Sequence, residues 1–313
     1  MGRGRGRRVN HLLTTEGLDR ETIDSLLDDA DEFAEVLTRP IPKVPALRGK
    51  TVATMFFEPS TRTRLSFEKA AKALSADTMS FSPGTSALTK GESLRDTVLT
   101  VRAMGVDLMV VRHKATGAPW RLAEWLDIPI VNGGDGAHQH PTQALLDCLT
   151  IRQRFGTLDG LHIAIVGDIR HSRVARSDIH AMATLGADVT LVGPPTLLPV
   201  DLSGWPVKTT SDLDGVLPSV DVVYLLRVQT ERGGASVFPS LAEYATRFGM
   251  SSERFAQLSD HAVVLHPGPM NRGVEIGHDV ADDDRALILN QVSNGVATRM
   301  AVLFRLLGGD TDA

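Results

Sequence analysis

The sequence predicts an α/β fold in two domains, each a parallel sheet flanked by helices, with a ligand cleft between them. Three observations carry this. Short apolar runs alternate with helical patterns, the order that builds a parallel sheet covered on both faces. The alternation restarts after about residue 150. And the chain has 313 residues, long for one core when domains usually run to roughly 100–200 residues.

The elements follow in order. Leu18, Ile23, Leu26, Leu27, Ala30, Phe33, Ala34 and Leu37 recur at helical spacing, and the proline-rich stretch from Pro40 to Pro45 ends that helix. Thr51–Phe57, Asp107–Val111 and Pro129–Val131 read as strands, with helices over Thr61–Leu74, Glu92–Met104 and Ala118–Leu126. A helix spans Pro141–Phe155. Leu161–Val166, Asp188–Val192, Asp221–Leu226 and Ala262–Leu265 are the next strands, and Asp284–Leu307 a long closing helix. The expected division is residues 1–150 and 151–313, with the closing helix packing back on the first domain. Pockets favour domain interfaces and the carboxyl ends of parallel strands.

Composition narrows the function. The hydrophobic fraction is 42% and the charged fraction 23%, ordinary for a soluble globular protein. A net charge of −5 argues against a global nucleic-acid-binding field. Arg3, Arg5, Arg7 and Arg8 lie among three glycines, which reads as a solvated, disordered tail over residues 1–10. The one cysteine, Cys148, permits no disulfide framework within the chain and fits a reducing cytoplasm. No apolar run reaches a membrane span, and no apolar segment follows the basic N-terminus as a secretory signal requires. Neither nucleic acid nor membrane is an expected partner.

Phe57-Glu58-Pro59-Ser60-Thr61-Arg62-Thr63-Arg64 follows a strand and opens a helix. Ser60 suits the N-cap. The first helical turn offers free backbone N–H groups and the positive end of the helix dipole, an anion site. Ser60, Thr61 and Thr63 add hydroxyls, and Arg62 a fork matched to phosphate oxygens. Taken alone, the string also describes a capped helix with two surface arginines.

Ser60-Thr61-Arg62-Thr63-Arg64 after a strand resembles the carbamoyl phosphate signature of the aspartate/ornithine carbamoyltransferase family. His140-Pro141-Thr142-Gln143, Arg227-Val228-Gln229 and His266-Pro267-Gly268-Pro269 follow in that family's order, and the resemblance runs from about His11 to Leu307. It implies transfer of a carbamoyl group from carbamoyl phosphate to the α-amine of L-aspartate, a step of pyrimidine biosynthesis. Such chemistry needs donors aimed at the carbonyl oxygen and the leaving phosphate, and positioning of the amine. It calls for no covalent nucleophile, cofactor or metal.

By the same resemblance, Ser60, Thr61, Arg62 and Thr63 hold phosphate, and Arg112 touches phosphate and the carbonyl oxygen. His140 donates to the carbamoyl oxygen and Gln143 holds the carbamoyl NH₂. Arg62, Thr63, Arg112 and His140 form the catalytic set. Pro141 suits a first helical position, which puts His140 at a helix N-terminus, a place that favours a neutral imidazole. The glycine-rich stretch Gly133-Gly134-Asp135-Gly136 reads as a turn that lets backbone approach a ligand. Ser86 and Lys90 lie in a polar loop that, in the family, enters a neighbouring subunit's site, so the resemblance implies a homotrimer with shared sites. Thr89 stands where many members carry a second lysine. Lys90, Arg173, Arg227 and Gln229 match the aspartate-binding residues, and Gly268 and Pro269 the backbone contacts. Larger assemblies with dihydroorotase or regulatory chains occur among relatives.

Several readings compete. Ornithine carbamoyltransferases typically show His-Cys-Leu-Pro, His-Pro-Cys-Gln and Ser-Met-Gly runs, and this chain has none of them. Ornithine as acceptor and an inactive assembly subunit are the alternatives to be tested. His138-Gln139-His140 lacks the H-E-x-x-H or cysteine pair of a zinc site. Gly167 follows a strand without the second and third glycines of a dinucleotide fingerprint, so NAD and FAD are rejected. Cys148 reads as a small packing residue and Asp147 as a brace within its helix.

Overall fold

The computed structural model describes residues 10–81, 91–228 and 240–308. They fall into two compact units. One contains Asp29–Gly136 with the stretches up to Thr14 and from Val296; the other contains Thr15–Asp28 and Ala137–Gly295.

α1 (Arg20–Thr38), whose residues from Asp29 on belong to the first unit, is followed there by β1 (Thr51–Phe56), α2 (Thr61–Ala73), β2 (Asp77–Phe81), α3 (Leu94–Ala103), β3 (Leu108–His113), α4 (Ala118–Trp125) and β4 (Ile130–Asp135). The strands form a parallel sheet in the order β2-β1-β3-β4. Val52, Ala53 and Met55 on β1 and Leu108 to Val111 on β3 are fully buried. That is why these strands read as largely apolar runs: helical crossovers cover both faces of a parallel sheet. The outer edge of β4 does not face water, because the Leu12 N–H donates to the Ile130 carbonyl at 3.0 Å and the Asn132 N–H to the Leu12 carbonyl at 2.9 Å. Capping an edge in this way removes a site for unwanted pairing.

The second unit holds α5 (Pro141–Phe155), β5 (His162–Val166), α6 (Arg173–Thr184), β6 (Asp188–Val192), β7 (Val207–Thr210), α7 (Leu213–Val216), β8 (Val222–Leu225), α8 (Leu241–Phe248), α9 (Ser252–Phe255), β9 (Val263–Leu265) and the start, up to Gly295, of α10 (Ile288–Leu307). Its parallel sheet has the order β7-β6-β5-β8-β9. Pro141 opens α5 at its first position and Gly156 closes it in the left-handed conformation, φ 83°, a C-terminal stop that glycine makes without strain.

The far end of α10 belongs with the first unit. Arg299 donates to the Ser66 hydroxyl at 2.7 Å and lies over the Phe67 ring at 5.1 Å. Phe304 packs edge-on against Phe33 at 5.7 Å, and Arg305 pairs with Asp29.

Two strands do not show in the sequence pattern. β2 is half exposed along its length, and β7 has no fully buried residue. Both lie at sheet edges, where an apolar run is not required. β4 also runs further than expected, to Asp135, so Gly133 and Gly134 end a strand, and the turn proper starts at Gly136, φ 50°.

Phe67 is fully buried on α2 beneath Arg299. Phe67→Ala should cost about 3–5 kcal/mol of unfolding free energy, read by urea denaturation; a loss under about 1 kcal/mol would show that this contact does not anchor the end of α10.

Candidate functional site

Each sheet has one place where the chain reverses its direction of travel. In the first, β1 leads outward to β2, and β3 then pairs on the other side of β1 and leads to β4. In the second, β5, β6 and β7 run one way, while β8 and β9 lie on the other side of β5. Loops leaving the carboxyl ends of the two strands at such a point diverge and leave a crevice for a ligand. The crevices open after β1 and β3, and after β5 and β8.

At the first crevice, Phe56 pairs in register with Arg112, and the Phe57 N–H donates to the Arg112 carbonyl at 2.8 Å. The chain then turns through Glu58 and Pro59 into α2. Ser60 occupies the N-cap, φ −160°, but its side chain makes no capping bond. Thr61 and Arg62 are exposed and Thr63 is buried. Arg112 donates to the Gly133 carbonyl at 3.1 Å, and its Nε lies 3.4 Å from a Glu58 carboxylate oxygen. A guanidinium fixed on two sides presents its remaining donors in a set direction. Glu58 was part of the motif, yet only the fold shows it gripping an arginine 54 positions away. Beside it, burial lowers the His113 pKa, and its ring packs on Phe57 at 5.3 Å.

The end of β4 is pinned by its own polar groups. Asp135 is fully buried; it accepts from the Gly117 N–H at 2.7 Å and from the Asn132 amide at 2.8 Å. A Cβ at Gly136 would stand 2.5 Å from the Thr116 hydroxyl, so only glycine fits this turn.

In the second unit, His140 is the N-cap of α5, as the Pro141 position implies, and is 4% exposed. Its backbone N–H donates to the Ser177 hydroxyl at 2.8 Å, and that hydroxyl donates to the Gln139 side chain at 2.5 Å. Gln143, one turn along, is 8% exposed. Arg173 is the first residue of α6 and is buried; Ser172 caps that helix by accepting from the Ala175 N–H. Arg227 follows β8, and the next N–H, of Val228, donates to Glu275 at 2.8 Å. Glu275 also accepts from the Asn271 N–H and amide, each at 2.7 Å, and burial raises its pKa. Arg173 and Arg227 thus leave the two strands that flank the second crevice. Gly268, φ 61°, donates from its N–H to the His266 ring at 2.8 Å, and the Gly268–Pro269 peptide is cis. Ser86, Lys90 and Gln229, with Thr89 and Arg3 to Arg8, lie outside the described residues.

Sequence reasoning set Asp147 aside, and the fold makes it a hub. It is fully buried and accepts from Gln143 Nε2 at 3.1 and 3.2 Å, from the Tyr224 hydroxyl at 2.7 Å and from Gln291 Nε2 at 2.6 Å. Gln291 in turn accepts from the His266 N–H at 2.9 Å. The carboxyl of Asp178 on α6 lies against Asp147, and neither of its oxygens receives a hydrogen bond from a donor among the described residues. Burial raises both pKa values, and Asp147 raises that of Asp178 further, while donors from Gln291, Tyr224 and Gln143 oppose the rise on Asp147. Two acceptors can share a hydrogen bond only if one carries a proton, and the donor count puts the charge on Asp147 and the proton on Asp178.

The two parallel α/β units thus carry Ser60 to Thr63 and Arg112 at one crevice, and Arg173 and Arg227 at the other. Family models match both parts of the chain: the aspartate/ornithine carbamoyltransferase carbamoyl-P binding domain over residues 10–153 and the Asp/Orn binding domain over residues 159–306. The chain belongs to the aspartate/ornithine carbamoyltransferase family. It is 56% identical to the aspartate carbamoyltransferase catalytic subunit of Thermobifida fusca, covering 96% of each chain, and 57% identical to that of Salinispora arenicola, covering 96% of this chain and 99% of the relative. Among solved structures it is similar to Trypanosoma cruzi aspartate transcarbamoylase in complex with N-(phosphonacetyl)-L-aspartic acid. The TM-score there is 0.86 at 30% identity, over 94% of this chain and 95% of the other. The catalytic subunit of the M. jannaschii enzyme gives 0.83 at 36% identity, over 97% and 99%.

The Asp178 assignment carries a stability prediction. A carboxyl whose folded pKa lies above its unfolded value binds more protons when folded, so stability falls as pH rises from the ordinary carboxylate range towards the folded pKa. Asn mimics the protonated acid. Asp178→Asn should therefore match the parent near pH 4 and exceed its Tm increasingly towards pH 8. A Tm difference that does not change with pH would contradict a protonated Asp178.

Proposed function

We propose that this chain transfers the carbamoyl group of carbamoyl phosphate to the α-amine of L-aspartate, giving N-carbamoyl-L-aspartate and phosphate, as a step of pyrimidine biosynthesis. One observation carries the reading. The cationic and hydroxyl side chains that the reaction needs stand at the crevices of the two sheets: Ser60 to Thr63 and Arg112 at the first, Arg173 and Arg227 at the second. Relatives named aspartate carbamoyltransferase, more than half identical over nearly the whole chain, support it.

Residues 1–150 serve as the carbamoyl phosphate-binding domain and 151–313 as the aspartate-binding domain. The family models' own division supports this, and the contacts of α10 with Ser66 and Phe33 support the packing of the closing helix back on the first domain. Ser60, Thr61, Arg62 and Thr63 hold the phosphate, with Ser86 and Lys90 from a neighbouring subunit of a homotrimer. Gln143 holds the carbamoyl NH₂. Lys90, Arg173, Arg227 and Gln229 grip the two carboxylates of aspartate, with backbone contacts from Gly268 and Pro269. Arginines suit carboxylates because their forks bind both oxygens. Carbamoyl phosphate binds first. The neutral α-amine attacks the carbamoyl carbon, and Thr63, Arg112 and His140 stabilise the charge growing on the oxygen. The C–O bond to phosphate breaks, and the departing phosphate takes the amine proton. The enzyme works in the cytoplasm.

A phosphate-release assay with carbamoyl phosphate tests this. Release should depend on L-aspartate and not on L-ornithine; release with ornithine alone would overturn the specificity, and release with neither would point to an inactive assembly subunit. Arg62→Ala should lower turnover by at least about 10²–10³-fold, as loss of one strong transition-state donor does. Near-normal turnover in that variant would remove Arg62 from the catalytic set.

A further inference from the structure

We propose that Asp147 is a positioning residue that fixes which end of the Gln143 amide faces the substrate, and so lets the site tell a carbamoyl group from an acyl group of the same shape. The proposal rests on the reading that Gln143 meets the carbamoyl NH₂.

A glutamine amide has one donor end and one acceptor end, and they are nearly the same size. Which end meets a ligand is set by what binds the other. Here Gln143 Nε2 lies within 3.1 and 3.2 Å of the two Asp147 oxygens. An ionised carboxylate accepts only, so the NH₂ end is the one that can face it. That commits Oε1, on the other arm of the planar group, as the acceptor Gln143 offers a ligand. An acceptor there pairs with the carbamoyl NH₂. Against the methyl group of acetyl phosphate it stays unpaired, a cost that gives sites of this kind their discrimination.

The orientation holds only while Asp147 keeps its charge: burial pushes its carboxyl up to about 7, and hydrogen-bond donors around it oppose the rise. Tyr224 from β8 and Gln291 from α10 add donors at 2.7 and 2.6 Å. Asp178 from α6 receives no hydrogen bond of its own among the described residues, so the shared proton sits on Asp178 and points at Asp147. The other titratable groups near the pair are Cys148 on α5, whose thiol burial and both acids push up, with Arg152 of α5 and Asp24 of α1 further out. A protonated Asp147 could donate to Oε1 and let the amide turn over.

The test compares kcat/KM for carbamoyl phosphate and for acetyl phosphate, with saturating L-aspartate and the full chain. Asp147→Asn should lower the carbamoyl-to-acetyl ratio about tenfold or more, with most of the loss on carbamoyl phosphate. A fall of both substrates in parallel, or no change in the ratio, would overturn the proposal, since a purely structural role affects both alike. Gln143→Ala should collapse the ratio to the same degree. An unchanged ratio there would place the failure in the reading of Gln143 itself. Should Asp147→Asn not fold, Tyr224→Phe decides, because it removes the hydroxyl that donates to Asp147 at 2.7 Å and so weakens the hold of charge on that carboxyl. The carbamoyl-to-acetyl ratio should then fall, and fall further as pH is lowered; an unchanged ratio at every pH would show that the charge of Asp147 orients nothing.

Discussion

The reversal of strand order in each sheet is the constraint on which the rest of this structure depends. A parallel sheet built outward in both directions from β1, or from β5, has one gap between diverging loops at its carboxyl edge. In the first unit that gap receives a helix N-terminus with Ser60, Thr61 and Thr63 on one side and Arg112 on the other. In the second it receives Arg173, at the head of α6, and Arg227, two residues past β8. The fully buried strands beneath, such as Val52 to Met55 and Ile163 to Ile165, fix where those loops begin.

Behind the second crevice lies a second constraint, a buried polar seam where α5 and α6 meet. Gln139, His140 and Ser177 share one hydrogen-bond chain. Asp147 gathers Gln143, Tyr224 and Gln291, and Gln291 passes the connection to the backbone of His266. A buried carboxylate is costly unless its oxygens are filled, and three side chains from three elements fill these. The seam therefore ties the start of the His-Pro-Gly-Pro loop, the end of β8 and the residue proposed to meet the carbamoyl NH₂ to one charged group. Changing that group alters all three at once.

Much of this was legible in the sequence, and the exceptions have physical causes. Strands buried on both faces, β1, β3, β5 and β8, announce themselves as apolar runs. The edge strands β2 and β7 carry Asp77, Ser80, Lys208 and Thr209 and give no such run. The helix starts after Ser60 and at Pro141 were readable because helix-start signals are local in sequence. The grip of Glu58 on Arg112, the role of Asp147 and the proton on Asp178 were not, because each depends on partners brought together only by folding: Asp147 and Gln291 are 144 residues apart. The stretch Gly133-Gly134-Asp135 misled because glycine runs usually mark turns. Here a Cβ at Gly133 would stand 3.3 Å from Val110 Cγ1 and from the Val111 carbonyl, so close strand packing is what asks for the small residue.

The central claim is a division of labour, with phosphate held at the first crevice and the dicarboxylate at the second. Titration calorimetry on two variants tests it most directly, using carbamoyl phosphate alone and then succinate, an aspartate analogue without the amine, in its presence. The account predicts that Arg112→Ala loses carbamoyl phosphate binding. Arg227→Ala should keep carbamoyl phosphate binding and lose succinate. Normal carbamoyl phosphate binding in Arg112→Ala, or normal succinate binding in Arg227→Ala, would contradict it.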